Sequence, residues 1–337
     1  MRLLPLMLLL ACQPDPKDSV AAEPTCESPG PRDDSLHLND VQAMGTHNSY
    51  HQEPEHVLDA SWAYSHEPLD IQLEDQGVRQ FELDIHLDVD LGWQVFHVPG
   101  ADDLTSCLQL EDCLGLVKAW SDEHICHMPL MIWLEPKDDI DEVYDNLLPL
   151  DGHWDSLEAS ISAVWPADRV LTPDDVRGDA ATLPEALAEH GWPTLAELRG
   201  KVFFSMLDTS EHRADYIGDA TSLEDRLLFV LADDASEDFA ATMKMDDPES
   251  QGADIAAAVA AGFMVGCNAG SADADDEENA ASWEAGLASG CHYISTDKPP
   301  PVDGDASWYS EIPDGEPARC NPVWQSGDCE PGDIESL

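Results

Sequence analysis

Basic residues are scarce in this chain. It carries 15 Lys and Arg against 70 Asp and Glu, a formal charge of −55 over 337 residues, and no Lys/Arg cluster anywhere. A protein that holds nucleic acid needs a basic surface to displace condensed counterions, so that class of partner is excluded. Long apolar runs are missing after the first dozen residues, and no later segment approaches the length that crosses a bilayer. A Gly-x-Ser-x-Gly elbow, a Gly-Lys-Ser/Thr phosphate loop and a His-Glu-x-x-His pair are all absent. Serine-hydrolase, nucleotide-hydrolase and zincin chemistry are thereby set aside. The hydrophobic fraction, 43%, is ordinary, so the acidity sits on a folded body. Such a charge repels itself and calls for screening by salt or divalent cations.

The start of the chain reads as an export signal. Met1 and Arg2 precede an apolar run from Leu3 to Leu10, then Ala11 and Cys12. A positive charge, a short apolar segment and a small residue before cysteine make residues 1–12 a bacterial lipoprotein signal. Lipid on Cys12 would anchor the chain to a membrane surface of the cell envelope, and residues 13–35, rich in Pro, Asp, Glu and Ser, read as a disordered tether. The remaining cysteines, Cys26, Cys107, Cys113, Cys126, Cys267, Cys291, Cys320 and Cys329, are even in number, which in an exported chain points to disulfides. Cys107 with Cys113 and Cys320 with Cys329 would close short loops. A zinc site at His124, Cys126 and His127 lacks a second close cysteine pair and is rejected.

Eight short apolar runs, about 40–44, 78–87, 93–98, 129–135, 201–207, 226–232, 262–266 and 291–295, read as strands. Segments with helical spacing lie between them, at 111–120, 139–148, 154–165, 182–199, 249–261 and 276–289. The alternation predicts an α/β fold, a distorted TIM-like (β/α)8 barrel over residues 36–300, followed by an acidic, disulfide-stapled tail at 301–337. The tryptophans are mainly core candidates. Asp273, Asp275, Glu277 and Glu284 have the spacing of a Ca2+ loop, but its sixth-position glycine is Glu278, so the segment reads as an acidic helix start.

In Phe81-Glu82-Leu83-Asp84-Ile85-His86-Leu87-Asp88 polar and apolar residues alternate strictly, and a strand's period of two puts Glu82, Asp84, His86 and Asp88 on one face. Inside a barrel, inward carboxylates cost several kcal/mol each unless a cation or hydrogen bonds compensate. Other expected strands also end in reactive groups: His47 and Asn48 after the first, His97 after the third, Glu135, Lys137 and Asp138 after the fourth. Asn48, Glu82, Asp84 and Glu135 would form an oxygen-only cluster suited to Ca2+ or Mg2+. With His47 and His97 flanking it, the set suits phosphoryl chemistry.

Several strings carry a family resemblance: Met44-Gly45-Thr46-His47-Asn48-Ser49-Tyr50, Tyr64-Ser65-His66, Gly77-Val78-Arg79-Gln80-Phe81-Glu82-Leu83-Asp84, Leu134-Glu135-Pro136-Lys137-Asp138, Gly191-Trp192-Pro193-Thr194-Leu195 and Ser295-Thr296-Asp297. In this order, over about 38–300, the chain resembles the bacterial Ca2+-dependent phosphoinositide-specific phospholipases C. The resemblance implies a phosphodiesterase that cleaves phosphatidylinositol-type lipids to diacylglycerol and inositol phosphate through a cyclic inositol phosphate. It implies Ca2+ on Asn48, Glu82, Asp84 and Glu135, and Asp84 or Glu82 as proton acceptor. It also implies His47 on the phosphoryl oxygen, His97 as the acid for the leaving oxygen and Lys137 as a substrate contact. One departure stands out. Where the family usually carries an Arg-rich segment, residues 265–270 read Val-Gly-Cys-Asn-Ala-Gly, and no basic residue follows until Lys298. The alternatives are a glycerophosphodiester phosphodiesterase, which normally has His-Arg where this chain has His47-Asn48, and a non-catalytic Ca2+-dependent binder of lipid or glycan.

Overall fold

The computed structural model describes residues 25–27, 30–138, 144, 146–313, 317–324 and 329–335. Cys12 and most of the segment 139–148 lie outside them. The strands are β1 (Val41–Thr46), β2 (Gln80–Asp88), β3 (Gly92–Val95), β4 (Leu130–Pro136), β5 (Leu147–Leu148), β6 (Val202–Met206), β7 (Phe229–Val230), β8 (Thr242–Lys244), β9 (Met264–Asn268), β10 (Tyr293–Thr296) and β11 (Ala318–Cys320). Eight of them run parallel in the order β7-β6-β4-β2-β1-β10-β9-β8. The ring closes through one parallel bridge, Leu231 to Thr242, with the Thr242 hydroxyl donating to the Val230 carbonyl at 2.9 Å. This is the expected α/β barrel, with its seam at β7 and β8.

Two strand assignments differ from expectation. The apolar run at 93–98 is not a barrel stave: β3 folds back antiparallel on β2, pairing Ile85 with Val95 and Leu87 with Trp93. The Asp88 side chain causes this reversal by accepting from the amides of Asp90 and Leu91 at 2.8 and 2.9 Å, and Gly92 takes the φ of +76° that completes the turn. The stave that β3 does not supply is β8, whose three residues are too short to carry a periodic signal. The helix expected at 182–199 is two pieces, Leu183–His190 and Leu195–Leu198, because Gly191 at φ +72° ends the first and Pro193 follows. Asp275 caps the helix Asp276–Ser289 reciprocally with Glu278, which accounts for the acidic run there. All four disulfides form, Cys107–Cys113 and Cys320–Cys329 among them.

Apolar residues of β2, Phe81, Leu83 and Ile85, are fully buried on the face opposite Glu82 and Asp84. The barrel interior is filled from both sides. A side chain on Gly45 would collide with Gln80, and one on Gly266 would meet Trp133 at 2.8 Å, so glycine at these positions is a packing requirement.

Both described ends of the chain close the face where the barrel strands begin. Cys26 is bonded to Cys126, and Asp33 takes a two-oxygen contact from Arg199 at 2.6 and 2.8 Å. The described part of the segment expected as a tether is therefore fastened to the barrel. From the other end, Glu335 accepts from Arg79 Nη2 at 2.6 Å and from the Met128 amide at 2.8 Å. Arg79, 1% exposed, also donates to the carbonyls of Leu73 and Val78 and lies over Trp120. Burial alone would raise the Glu335 carboxyl, but Arg79 holds it below the ordinary range. Removing one member of a buried pair leaves the other charge uncompensated, so Glu335→Ala is expected to cost about 3 kcal/mol at pH 7 by chemical denaturation. A carboxyl depressed by folding stabilises above its unfolded value and loses that contribution as pH falls through its folded one. The difference between mutant and parent should therefore shrink below about pH 4; a pH-independent difference would mean that packing, not charge, holds the tail.

Candidate active site

The site grows from three adjacent staves. After β1 the chain turns through His47–Tyr50, and the turn is strapped to β2 on both sides: the Ser49 amide donates to the Glu82 carbonyl at 2.9 Å, and the Glu82 amide donates to Ser49 Oγ at 2.8 Å. Asn48 takes φ +43° in this turn, a conformation that asparagine tolerates better than most side chains. Its Oδ1 lies 3.4 Å from the Tyr50 hydroxyl. Burial, and then the neighbouring Asp84, push that phenol well above its ordinary value.

Glu82 and Asp84 face the interior from β2, and the parallel register sets Asp84 beside Glu135 of β4. One oxygen from each of Glu82, Asp84 and Glu135 falls within 4.8 Å of the others. Two ammonium groups stand against them. Lys137 Nζ is 2.7 Å from Glu135 and 3.4 Å from Asp84; Lys244 Nζ is 3.2 Å from Glu82. Burial raises Asp84 to about 6, with Lys137 opposing and Glu82 adding to the rise. Burial, Asp84 and Glu82 together raise Glu135 to about 7 against Lys137. Glu82 goes the other way: despite its burial, Lys244 and His47 hold it low.

His47 and His97 are each held by a carboxylate. His47 Nδ1 is 2.8 Å from Asp297 Oδ1, and its Nε2 is 3.6 Å from Glu82. Burial works against charge on this ring, yet Glu82 and Asp297 outweigh it and lift His47 to about 9. His66, which burial keeps neutral at about 4, hydrogen-bonds the His47 carbonyl through Nε2 at 2.9 Å. His97 Nδ1 is 2.7 Å from Asp102 Oδ2, and Asp102, fully buried, also receives His51 Nε2 at 2.9 Å. Burial would raise Asp102, but hydrogen bonds from His51 and His97 keep it low. His86, next on the face that carries Glu82 and Asp84, stacks on Phe96 at 3.9 Å and hydrogen-bonds the carbonyls of Phe96 and His97 at 3.0 and 3.2 Å. β2 thereby holds the backbone of His97.

Contacts of 2.7 to 3.6 Å thus join His47 to Glu82, and Lys137 to Asp84 and Glu135, and the three carboxylates lie within 4.8 Å of one another. Asn48 touches Tyr50, which neighbours Asp84, whereas His97 is placed by His86, two residues beyond Asp84 on β2. Asp102 and Lys244 escape sequence reasoning because each is a lone charge without pattern. Asp297 belongs to one of the quoted strings, but only the fold shows it on His47. Beside His47 opens a cavity of about 500 Å3, whose lining includes Asp246, Asp247, Glu249, Asn268 and Glu278 and no Lys or Arg among the described residues.

The donor set fits a hard divalent cation. Asp84 is 0% exposed, its only close ammonium among the described residues is Lys137 at 3.4 Å, and burial already raises its proton affinity, so a second positive charge would be favoured there. Carboxylates with an amide oxygen are Ca2+ donors. The rejected zinc set is excluded outright, since Cys126 is bonded to Cys26.

The sequence matches a family described as phosphoinositide phospholipase C, Ca2+-dependent, over residues 36–93 and 89–322. No curated protein matches it significantly. Among solved structures, a calcium-dependent phosphoinositol-specific phospholipase C from a Pseudomonas species is similar, with a TM-score of 0.60 and 20% identity, covering 87% of this chain and 98% of that one. A Ca2+-dependent phosphatidylinositol-specific phospholipase C from Streptomyces antibioticus aligns with a TM-score of 0.56 and 19% identity over 78% of this chain and 95% of its own. At these identities the likeness speaks for the barrel.

Ca2+ at about 100 times its dissociation constant is expected to stabilise the fold by about 2.7 kcal/mol, read as a rise in thermal midpoint. Asp84→Asn should remove most of that rise and weaken the calorimetric Ca2+ titration. An unchanged titration would mean that the cation binds elsewhere.

Proposed function

Since the chain belongs to the Ca2+-dependent phosphoinositide phospholipase C family, and is thus a phosphoric diester hydrolase, we propose that it cleaves phosphatidylinositol in two steps, through an inositol 1,2-cyclic phosphate. Asn48, Glu82, Asp84 and Glu135 hold Ca2+. When bound, the cation lowers the proton affinity of the inositol 2-hydroxyl and offsets charge on the phosphoryl oxygen.

Asp84 takes the proton of the 2-hydroxyl. Glu82 is held low by Lys244 and His47, whereas burial raises Asp84 despite Lys137 at 3.4 Å, which makes it the stronger base of the two. The hydroxyl oxygen bonds to phosphorus as the bond from phosphorus to the glycerol oxygen breaks. His47, charged at neutral pH between Glu82 and Asp297, donates from Nε2 to the phosphoryl oxygen as negative charge builds there. His97 protonates the departing diacylglycerol oxygen: its Nδ1 faces Asp102, which leaves Nε2 for the transfer. Water then opens the cyclic phosphate with the acid and base roles exchanged. Lys137 steadies the phosphate or inositol from the Asp84 side.

The observation that carries this reading is the three-carboxylate cluster with carboxylate-backed imidazoles at His47 and His97. A pure binding protein needs no proton donor. The cavity beside His47 favours an unphosphorylated inositol ring, because its acidic lining offers hydroxyl acceptors and no cation for additional phosphates. The protein works exported and held at the envelope by lipid on Cys12; four disulfides support an oxidising compartment.

His97→Ala should slow release of water-soluble inositol phosphate from phosphatidylinositol vesicles by about 10²–10⁴-fold, the usual size of a general-acid contribution, while calorimetric Ca2+ affinity stays near that of the parent. Chelation should abolish release in both proteins. Equal turnover in mutant and parent would remove His97 from the mechanism, and chelator-resistant turnover would remove the cation.

A further inference from the structure

The chain has six lysines, and two of them stand on one cluster of three carboxylates. Lys137 is close to the expected place of a substrate contact. Lys244 is not explained by it. It ends β8, its side chain is 5% exposed, and its ammonium lies 3.2 Å from both Glu82 Oε2 and Asp246 Oδ1. Asp246 in turn lines the cavity beside His47. In register, Lys244 is the partner of Gly266 on β9, within the segment 265–270 that holds no basic residue. Gly266 also makes room for it: a Cβ there would stand 3.3 Å from Lys244 Cδ.

We propose that Lys244 supplies, from the neighbouring stave, a further positive contact to the substrate's phosphodiester anion beside those of His47 and Lys137, and that Glu82 holds it in reserve until a cation occupies that carboxylate. The inference rests on the phospholipase reading above and adds a residue to it. Two opposed effects follow from one ammonium group. Without substrate or metal it neutralises Glu82, so it competes with the cation for that carboxylate. With Glu82 occupied, an ammonium beside a divalent cation is repelled by it and drawn to an anion at the mouth, as lysine serves in phosphate sites generally. A lysine that merely filled space would produce neither effect.

The test measures binding, with myo-inositol 1-phosphate as the probe, in the full chain. Lys244→Met should bind Ca2+ about threefold or more tighter than the parent by calorimetry, since one competing charge is gone. At saturating Ca2+ it should bind the inositol phosphate about tenfold more weakly, and myo-inositol itself about equally. Lys244→Arg should return both affinities toward the parent. If Lys244→Met does not fold, as judged by circular dichroism, Lys244→Gln carries the same two expectations. Ca2+ affinity that is unchanged or weaker in the neutral variant overturns the competition with Glu82, and unchanged inositol phosphate affinity overturns the substrate contact. A parent protein that takes up no Ca2+ would overturn the phospholipase reading itself, an outcome separate from these two.

Discussion

Everything in the mouth of this barrel answers to one electrostatic problem: three carboxylates, the buried Glu82 and Asp84 and the part-buried Glu135, lie within 4.8 Å of one another. At an effective dielectric of ~20, each such pair of full charges repels by about 3–4 kcal/mol. Without a metal, the protein meets this repulsion in three ways. Lys137 and Lys244 bring two positive charges, His47 is held charged between Glu82 and Asp297, and Asp84 and Glu135 hold their protons to higher pH than ordinary carboxyls. Each of these is a partial answer that a divalent cation replaces by a complete one. The site is thus tuned for occupancy by an ion.

The fold creates the problem and makes it useful. Parallel staves deliver their final residues to one end, and β2 and β4 are neighbours in the ring, so Glu82, Asp84 and Glu135 meet without any loop having to reach across, while Asn48 follows the adjoining β1. The imidazoles are aimed by residues from elsewhere: Asp297 follows β10, and Asp102 comes from the turn after β3. Neither histidine relies on solvent to orient it. At the opposite end the chemistry is structural, with Arg79 and Arg199 buried against Glu335 and Asp33. In a chain of net charge −55, four of its few cations are spent on these two pairs and on the two lysines of the mouth.

The alternation of β2 made the carboxylate ladder legible in the sequence, because a strict period of two over eight residues has one geometric meaning. Asn48, Glu135 and Lys137 were legible as polar endings of apolar runs. What could not be read was tertiary. β3 and a barrel stave share the same apolar pattern, and only the Asp88 turn distinguishes a strand that folds back from one that continues the ring. β8 is three residues long and has no pattern to detect, which is why Lys244 was missed. Asp102 lies five residues from His97, yet the bond between them needs the reversal of chain at Val98–Asp102.

The bond between Cys26 and Cys126 fixes where the first described residues leave the body: beneath the start of β4, at the pole farthest from the carboxylates. Cys26 and the carboxylates thus lie at opposite poles of the barrel, so a group attached at Cys26 leaves the entrance uncovered.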